Sequence, residues 1–222
     1  MKYTEDNLKT WAAPLSETES TRVENTIRMI KDAIKSSTKL SNLDIEVFVQ
    51  GSYANNTNVR QNSDVDICVM LSSTFYCEYV TGKTRSDYGH IKGSIEYETY
   101  KSYILDAIRE KFGYDNIKLG NKSLKIQSNT YHVNADVVPA FQYKNYQIIN
   151  SLNPNVYVEG IKYFSLTNDI IINYPKIHIE NGKNKNVSTN YKYKKIVRIM
   201  KHIKNSMVED NKANGNIITP SS

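Results

Sequence analysis

Two aspartates lie two positions apart in a segment whose other side chains are mostly apolar. Residues 64–71 read DVDICVML, and this alternation predicts a β-strand. Neighbouring side chains of a strand point to opposite faces, so Asp64 and Asp66 share one face while Val65 and Ile67 face the core. Two unpaired carboxylates side by side repel by roughly 4 kcal/mol at an effective dielectric constant of about 20. A hard divalent cation between them removes this cost, and oxygen ligands favour Mg²⁺ or Mn²⁺ over zinc.

A third carboxylate is expected on a second strand. Nucleotidyl transfer uses two such ions, one to activate the attacking hydroxyl and one to bind the triphosphate and the leaving pyrophosphate. Residues 131–138 are predicted to form a strand, joined by a turn at Asn129 to a strand over residues 122–128. Asp136 lies in this apolar strand, where an ionised side chain is costly unless it is paired or bound to metal. Asp64, Asp66 and Asp136 are therefore the candidate catalytic and metal-binding residues, with two Mg²⁺ ions expected and Mn²⁺ as the alternative.

A glycine and a serine follow the first predicted strand. That strand covers residues 44–50, where polar and apolar residues alternate in the same way. Gly51 allows the backbone to approach a phosphate closely, and the N–H groups at the start of a short helix attract an anion. Ser52 adds a hydroxyl donor. Because only a short loop separates this turn from Asp64, phosphates bound at Gly51 would reach cations held by the aspartates.

Capping patterns and apolar spacing predict the helices. A capping box at Ser16 and Glu19 opens an amphipathic helix over residues 16–36. A second helix, with apolar residues at positions 100, 104 and 108, is expected to end at Gly113. Polar composition predicts an exposed loop over residues 72–95, followed further along by a mixed stretch with short strands through about residue 180.

The last predicted helix has an apolar and a basic face. It follows a predicted loop, Asn181 to Asn186, and is capped by Ser188 or Thr189. Its apolar stripe comprises Ile196, Met200, Ile203 and Met207. Lys194, Arg198 and Lys201 fall on one face at i, i+4 and i+7, where they are candidates to clamp the outer phosphates of a triphosphate. The alternative for such a face is simple solvation.

Some polar residues receive no role from their pattern. Lys125, on the strand before Asp136, is interpreted as a surface lysine, with nucleotide contact as the alternative. The four histidines lack metal-ligand spacing and are interpreted as surface or core residues: His90, His132, His178 and His202.

Composition bounds the class of protein. The 222 residues suffice for one large domain, or a domain and part of a second, and 39% of them are hydrophobic. No apolar run approaches the length of a membrane span, and the N-terminus is too polar for a secretory signal. Two cysteines without metal-like spacing make a disulfide framework unexpected and favour a cytoplasmic location. A net charge of +6 suits an anionic partner such as nucleotide phosphates or nucleic acid.

The sequence ends with Thr219-Pro220-Ser221-Ser222, which is typical of the start of a helix. We therefore expect further helices beyond this fragment, with a frayed natural terminus as the alternative. Ser221 is a candidate hydroxyl donor to the outer phosphates.

Taken together, several segments resemble the bacterial CD-NTases, which are relatives of the animal DNA sensor cGAS and of oligoadenylate synthase. The matching segments, which extend from about Trp11 to the end, include Gly51-Ser52, Asp64-Val65-Asp66, Asp136-Val137-Val138-Pro139, Tyr157 to Ile161, Asn173 to Lys176 with His178, Asn181-Gly182 and Val197 to Lys201. The glycine–serine and Asp-x-Asp parts belong to the whole polymerase-β superfamily, whereas the later segments are more particular to CD-NTases.

The resemblance implies a two-lobed, Mg²⁺-dependent nucleotidyltransferase that makes a cyclic di- or trinucleotide, or a linear oligonucleotide, as a signal in CBASS antiphage defence. It implies metal binding by Asp64, Asp66 and Asp136. By the same carry-over, Gln50 and Ser52 are nucleotide contacts, and Lys201 and Ser221 are triphosphate contacts. Nucleoside triphosphates are the expected substrates, a regulatory protein or nucleic acid is a further expected partner, and no membrane is involved.

The expected fold is α/β, with a mixed sheet flanked by helices and a partial C-terminal helical lobe. Residues 1–180 would form the nucleotidyltransferase core with the N-terminal helix, and residues 181–222 the start of the helical lobe. Two other functions stay open at this point. One is a different polymerase-β-type transferase that tails RNA or modifies an antibiotic, and the other is a catalytically inactive nucleotide or RNA sensor.

Overall fold

A computed structural model of the chain describes residues 3–59 and 64–210. Within these residues seven strands form one mixed sheet: β1 (Ile45–Val49), β2 (Val65–Glu78), β3 (Ile117–Leu119), β4 (Leu124–Ile126), β5 (Ala135–Asn145), β6 (Val158–Phe164) and β7 (Ile170–Asn173). The α-helices are α1 (Glu5–Ala12), α2 (Glu17–Ser36), α3 (Gly51–Ala54), α4 (Tyr97–Phe112), α5 (Pro175–Ser188) and α6 (Tyr193–Glu209). Short 3-10 helices cover Arg85–Tyr88 and Tyr114–Asn116. The predicted α/β class is confirmed.

The two central strands of the sheet run parallel. The strand order is β1-β2-β5-β4-β3, with β6 paired to the second half of β5 and β7 paired to β6. Strands β2 and β5 are parallel, and every other pairing is antiparallel. In the parallel pair Asp66 lies opposite Asp136, and Ile67 lies opposite Val137. The two long strands therefore carry both aspartates at the same level of the sheet.

One face of the central strands is sealed by helices α2 and α4. Val65, Ile67, Val69 and Leu71 are fully buried there, in a cluster that includes Ile30 and the apolar face of α4. The opposite face of β2 carries Asp66, Cys68 and Met70, since side chains alternate along a strand. Burial of the first face thus fixes the face on which the aspartates lie.

The predicted starts and stops of these two helices are confirmed. Ser16 Oγ accepts a hydrogen bond from the Glu19 N–H, and Glu19 Oε2 accepts one from the Ser16 N–H at 3.2 Å, so the capping box is formed. Helix α4 ends at Gly113, whose φ of 88° favours glycine.

Two predicted segment boundaries are wrong. Strand β2 does not end at residue 71 but continues to Glu78, because β5 also continues and residues 75–78 pair with residues 142–145 after an irregularity. Residues 72–78 are therefore not a loop. Strand β5 begins at Ala135 rather than at residue 131. The preceding residues form the predicted turn at Asn129, whose Oδ1 accepts hydrogen bonds from the N–H groups of residues 131 and 132.

The loop predicted at Asn181 to Asn186 is also wrong, because these residues belong to helix α5. Pro175 at the first helical position favours the start of that helix. Gly182 fits in its interior because the helix packs closely on Asn55, which is buried: a Cβ at position 182 would lie 2.2 Å from Asn55 Oδ1. Tertiary packing, rather than helix propensity, explains this glycine. Helix α5 also crosses the domain boundary predicted at residue 180, and that division stays a prediction.

Helix α6 packs against the N-terminal helix α1. The Trp11 ring stacks on the His202 ring at 5.3 Å, and Tyr3 Oη donates a hydrogen bond to Ser206 Oγ at 3.0 Å. The predicted helix is confirmed, but it begins at Tyr193 after the N-cap residue Lys192, so the cap predicted at Ser188 or Thr189 is wrong: Ser188 ends α5. Two members of the apolar stripe of α6, Ile196 and Met200, are 52% and 44% exposed. None of the helices in the described ranges is long and apolar enough to cross a bilayer.

Replacing Gly182 by alanine tests the packing of α5 on α3. Alanine normally stabilises a helix interior by about 1 kcal/mol relative to glycine, but here the added methyl group must displace Asn55, so we expect a net loss of about 1–3 kcal/mol of unfolding free energy. Urea denaturation measures the change. Asn181→Ala, on the exposed side of the same helix, is the control and should change stability by less than about 0.5 kcal/mol. If Gly182→Ala stabilises the protein, the packing is not as described.

Candidate active site

The register of β2 and β5 brings two of the three predicted aspartates together. Asp66 and Asp136 face each other across the parallel pair, where strands are separated by about 4.8 Å. Both side chains line the same cleft, and Asp64 directly precedes β2. The carboxylates of Asp136 and Asp64 both act electrostatically on Asp66. Asp66 and Asp136 therefore share one face of the sheet, and Asp64 lies within electrostatic reach of Asp66.

The surroundings of Asp66 shift the pKa of its carboxyl group. Its partial burial, followed by the charges of Asp136 and Asp64, raises the pKa of Asp66 to about 6. Lys125 and Lys201 oppose this shift but do not cancel it. Near neutral pH the site therefore concentrates negative charge that is only partly neutralised by the protein.

Lys125 is the direct cationic neighbour of Asp136. It lies opposite Asp136 in the antiparallel pairing of β4 and β5, and its Nζ is 3.3 Å from Asp136 Oδ1 and 3.5 Å from Oδ2. Oδ1 is buried and, within the described ranges, accepts no hydrogen bond, so the contact at 3.3 Å is an ion pair without good hydrogen-bond geometry. Lys125 is an exposed surface lysine, as interpreted from the sequence, and its amine pairs with a candidate catalytic residue.

Gly51 fits against the carboxylate of Asp66. Its φ is 66°, in the left-handed region, and a Cβ at this position would lie 2.3 Å from Asp66 Oδ2. The neighbouring Gln50 N–H donates a hydrogen bond to the Asp66 carbonyl at 2.9 Å. The predicted phosphate-binding turn is thus in contact with the predicted metal-binding carboxylate.

These residues form the base of a cleft of about 400 Å³. Its walls come from three parts of the chain: the turn before α3, the connection between β3 and β4, and the segment from β6 to the first turn of α5. The lining residues are Gln50, Gly51, Asn55, Asp66, Lys122, Ser123, Asp136, Val138, Tyr163, Asn173, Pro175 and His178.

The remaining candidates have different outcomes. Lys201 is half-buried and interacts electrostatically with Asp66, and burial lowers the pKa of its amine. Ser52 is half-buried on α3 but is not among the described residues that line the cleft. Ser221 lies outside the described residues. The phosphate role considered for Arg198 is wrong: the residue is only 5% exposed, and its guanidinium donates to the backbone carbonyls of Ala12 and Asn56.

Sequence reasoning missed part of the cleft. His178, interpreted as a packing or surface residue, lies in the cleft wall one helical turn after Pro175. Tyr163 and Asn173 belong to the same wall, and Asn173 Nδ2 donates to Tyr163 Oη at 3.3 Å. For His178 and Asn173 the available signal was their place in segments that resemble the CD-NTases, and Tyr163 had none, because no local pattern distinguishes a wall residue from a surface residue.

The donor set fits a hard divalent cation. Carboxylate oxygens are the ligands that such ions prefer. Asp136 Oδ1 is buried and accepts no hydrogen bond from the described residues, and the pKa of Asp66 is raised. Both observations indicate that the site lacks positive charge. In the ranges 3–59 and 64–210, however, no three acidic, histidine or cysteine side chains already stand at coordinating distances. Lys125 partly neutralises the carboxylates instead.

Two family models match this chain, one over the strands that carry the aspartates and one over the C-terminal helices. A model described as a nucleotidyltransferase domain matches residues 27–158, which contain the three aspartates. A second model, for the cGAS/DncV-like nucleotidyltransferase C-terminal helical domain, matches residues 180–221. The fold and the site thus define a nucleotidyltransferase.

Comparison with individual relatives shows to which family of nucleotidyltransferases the chain belongs. The chain is 38% identical over 237 residues to the cyclic GMP-AMP synthase CdnE03 of Staphylococcus schleiferi, covering 96% of this chain and 73% of the relative. It is 43% identical over 209 residues to the cyclic dipyrimidine nucleotide synthase CdnE of Cecembia lonarensis, covering 94% and 69%. The solved Rhodothermus marinus CdnE c-UMP-AMP synthase with Apcpp and Upnpp superposes with a TM-score of 0.84 at 30% identity, covering 96% and 70%. This chain belongs to the bacterial CD-NTase family of cGAS/DncV-like nucleotidyltransferases.

The pKa of Asp66 makes metal-free stability depend on pH. The folded state holds this proton more tightly than the unfolded state, where the pKa is near 3.8, so stability contributed by protonation is lost as pH rises through about 6. We expect Asp66→Asn to be about 2 kcal/mol more stable than the wild type at pH 7.5, since one pKa unit is worth about 1.4 kcal/mol and solvent screens part of the effect.

Urea denaturation in the presence of a chelator checks this expectation. The advantage of Asp66→Asn should shrink to near zero at pH 4, where the carboxyl group is protonated in the folded wild type. An equal difference at both pH values would show that the substitution acts through packing rather than through charge.

Proposed function

We propose that this protein joins two nucleoside triphosphates into a cyclic dinucleotide and releases two pyrophosphates. The observation that carries the proposal is the pairing of Asp66 with Asp136 at the base of the cleft, with Gly51 against the Asp66 carboxylate and Asp64 within electrostatic reach of Asp66. The named activities of the Staphylococcus schleiferi, Cecembia lonarensis and Rhodothermus marinus relatives support a cyclic product. A larger ring or a linear oligonucleotide is the variant of this activity that product analysis distinguishes.

Each bond-forming step is an in-line displacement at phosphorus. A 3′- or 2′-hydroxyl of one nucleotide attacks the α-phosphate of the other, the new P–O bond forms, and the bond to the β-phosphate breaks. Asp136 would assist removal of the hydroxyl proton, and its position in the cleft opposite Asp66 supports this role. The Gly51 turn, Ser52 and Lys201 would hold the triphosphate beside the aspartates.

The carboxylates of Asp64, Asp66 and Asp136 would hold two Mg²⁺ ions. Bound there, the ions supply Lewis-acid activation of the hydroxyl and neutralise charge on the triphosphate and the leaving pyrophosphate. Lys125 supplies positive charge to Asp136 in the structure described above, and we infer that it moves away from Asp136 when the cation site fills.

The relatives are named for different products, which include cyclic dipyrimidine and cyclic dipurine nucleotides. We infer that base choice is set by cleft residues outside the shared aspartates, in the wall that sequence patterns do not mark. By family, the product would act as a second messenger in CBASS antiphage defence, in the cytoplasm.

Mass spectrometry of the products tests the proposal. The protein is incubated with all four ribonucleoside triphosphates and Mg²⁺, and the products are treated with phosphatase. A phosphatase-resistant cyclic nucleotide is the expected result. A requirement for an RNA or antibiotic acceptor would assign a different transferase activity, and metal-dependent nucleotide binding without product would assign a sensor.

Asp66→Asn should abolish turnover without unfolding the protein. The substitution keeps the shape of the side chain but removes the charge that a cation requires, so we expect a loss of at least about 10³-fold in rate, or about 4 kcal/mol of transition-state stabilisation. Initial rates of pyrophosphate release measure the effect. Asp115→Asn is the matched control, because Asp115 is an exposed residue in the 3-10 helix that follows α4. This variant should retain wild-type rates. Full activity of Asp66→Asn would refute the assignment.

A further inference from the structure

Helix α5 carries a lysine where a helix does not favour one. Lys176 is the second residue of α5, directly after Pro175, and the N-cap residue Tyr174 provides no side-chain hydrogen bond. The positive end of the helix dipole lies here, so a cation at this position costs a few tenths of a kcal/mol rather than stabilising the helix. The reason for a lysine must therefore lie outside the helix.

Lys176 binds two carboxylates on two different strands. Its Nζ is 2.8 Å from Glu46 Oε2 on β1 and 2.6 Å from Glu159 Oε1 on β6. The same amine lies 5.4 Å from the centre of the Phe48 ring. These three contacts hold the amine against β1 and β6.

The carboxylate of Glu159 is itself held in place. Its Oε2 accepts a hydrogen bond of 2.7 Å from Gln142 Nε2, and Gln142 is only 7% exposed. Partial burial lowers the pKa of Lys176, but hydrogen bonds to Glu159 and Glu46 outweigh it, so the net shift is upward and the amine stays charged. The network is thus more rigid than an isolated surface ion pair.

The two anchor strands lie on opposite sides of the catalytic pair. Strand β1 pairs with β2, and β6 pairs with β5, so Lys176 reaches from one flank to the other across the strands that carry Asp66 and Asp136. Cys68, which follows Asp66 on the same face of β2, lies within the electrostatic reach of both Glu46 and Lys176. Helix α5 is therefore tied to the sheet face that bears the aspartates.

The segment held by Lys176 is also the wall of the cleft. Pro175 precedes it, His178 follows it, and both line the cleft together with Asn173. Glu46 pairs with Met70, four residues along β2 from Asp66, which places the ion pairs about 13 Å from the aspartates. Lys176 is too far along the sheet to act on the reacting atoms, but it fixes the residues that face them.

We propose that Lys176 is a positioning residue, which sets the width of the nucleotide cleft by holding the α5 wall against β1 and β6 through Glu46 and Glu159. The proposal rests on the proposed function, since the cleft is taken to bind nucleoside triphosphates. Loss of the amine releases the wall while leaving the aspartates in place, so nucleotide binding is weakened more than the chemical step.

Lys176→Met tests the proposal, because methionine keeps a long, unbranched side chain up to the position of Cε and removes the charged amine. We expect the KM for nucleoside triphosphate to rise about tenfold while kcat at saturation changes by less than about threefold. Lys176→Arg, which can contact both carboxylates, should restore most of the affinity. The control is Lys183→Met, an exposed position on the same helix, which should leave both constants unchanged.

Removing the charges of Glu46 and Glu159 breaks the same ion pairs while leaving Lys176 in place. Glu46→Gln combined with Glu159→Gln should raise KM as Lys176→Met does, and adding Lys176→Met to that pair should have little further effect. Additive effects on KM would show that Lys176 acts independently of the glutamates, and a drop in melting temperature with KM unchanged would show that it serves stability alone; either result would overturn the proposal.

A measurement without turnover separates this proposal from the proposed function. Hydrogen exchange of the substrate-free protein should show faster exchange at residues 177–182 in Lys176→Met than in Lys183→Met, and binding of a non-hydrolysable triphosphate analogue should weaken in parallel. If the wild type forms no nucleotide product but these differences appear, only the proposed function fails. Unchanged exchange and unchanged analogue binding would overturn the role of Lys176.

Discussion

The parallel pairing of β2 with β5 is the constraint on which the rest of the site depends. Parallel strands in register place equivalent residues side by side, so Asp66 meets Asp136 at the separation of neighbouring strands. A slip of one residue would turn one of the two carboxylates into the core. The fully buried faces of both strands, packed under α2 and α4, prevent such a slip, and the hydrophobic core therefore determines the geometry of the charged face.

Holding charged carboxylates close together on this face is electrostatically unfavourable, and the rest of the molecule only partly offsets that repulsion. Burial and two neighbouring carboxylates act on Asp66, while Lys125 and Lys201 supply opposing charge from β4 and α6. Both lysines belong to elements that are not neighbours of β2 in the sequence. The site therefore needs the assembled sheet and the helix α6 together, which links the two matched family domains through one carboxylate.

The strands and the aspartates were predictable because alternation and capping are local patterns. Residues 45–49 and 65–71, the capping box at Ser16 and the end of α4 at Gly113 follow from spacing alone. The extension of β2 to Glu78 was not predictable, because its polar residues become a strand only through pairing with β5. Helix α5 was missed for a similar reason: its composition suits a loop, and its contacts with Asn55, Glu46 and Glu159 are all distant in sequence.

The residues of the candidate site also divide into those that local patterns predicted and those that depend on tertiary packing. Asp64, Asp66, Asp136 and Gly51 were identified from charge in an apolar strand and from a turn residue beside it. The place of His178 in the cleft wall depends on how α5 packs against the sheet, and the burial of Arg198 depends on how α6 packs against Ala12 and Asn56. Helical periodicity places residues on a face but does not say what covers that face, and Arg198 was misassigned for that reason.

The contact between Gly51 and Asp66 bears on how relatives with altered sites are identified. Glycine is needed at position 51 both by its left-handed backbone and by the space that the neighbouring side chain occupies. Asparagine fills the same space as aspartate, so a homologue that had exchanged its carboxylate for an amide would still retain the glycine. Conservation of the glycine turn therefore reports inheritance of the fold, and only the acidic residues report retention of the chemistry.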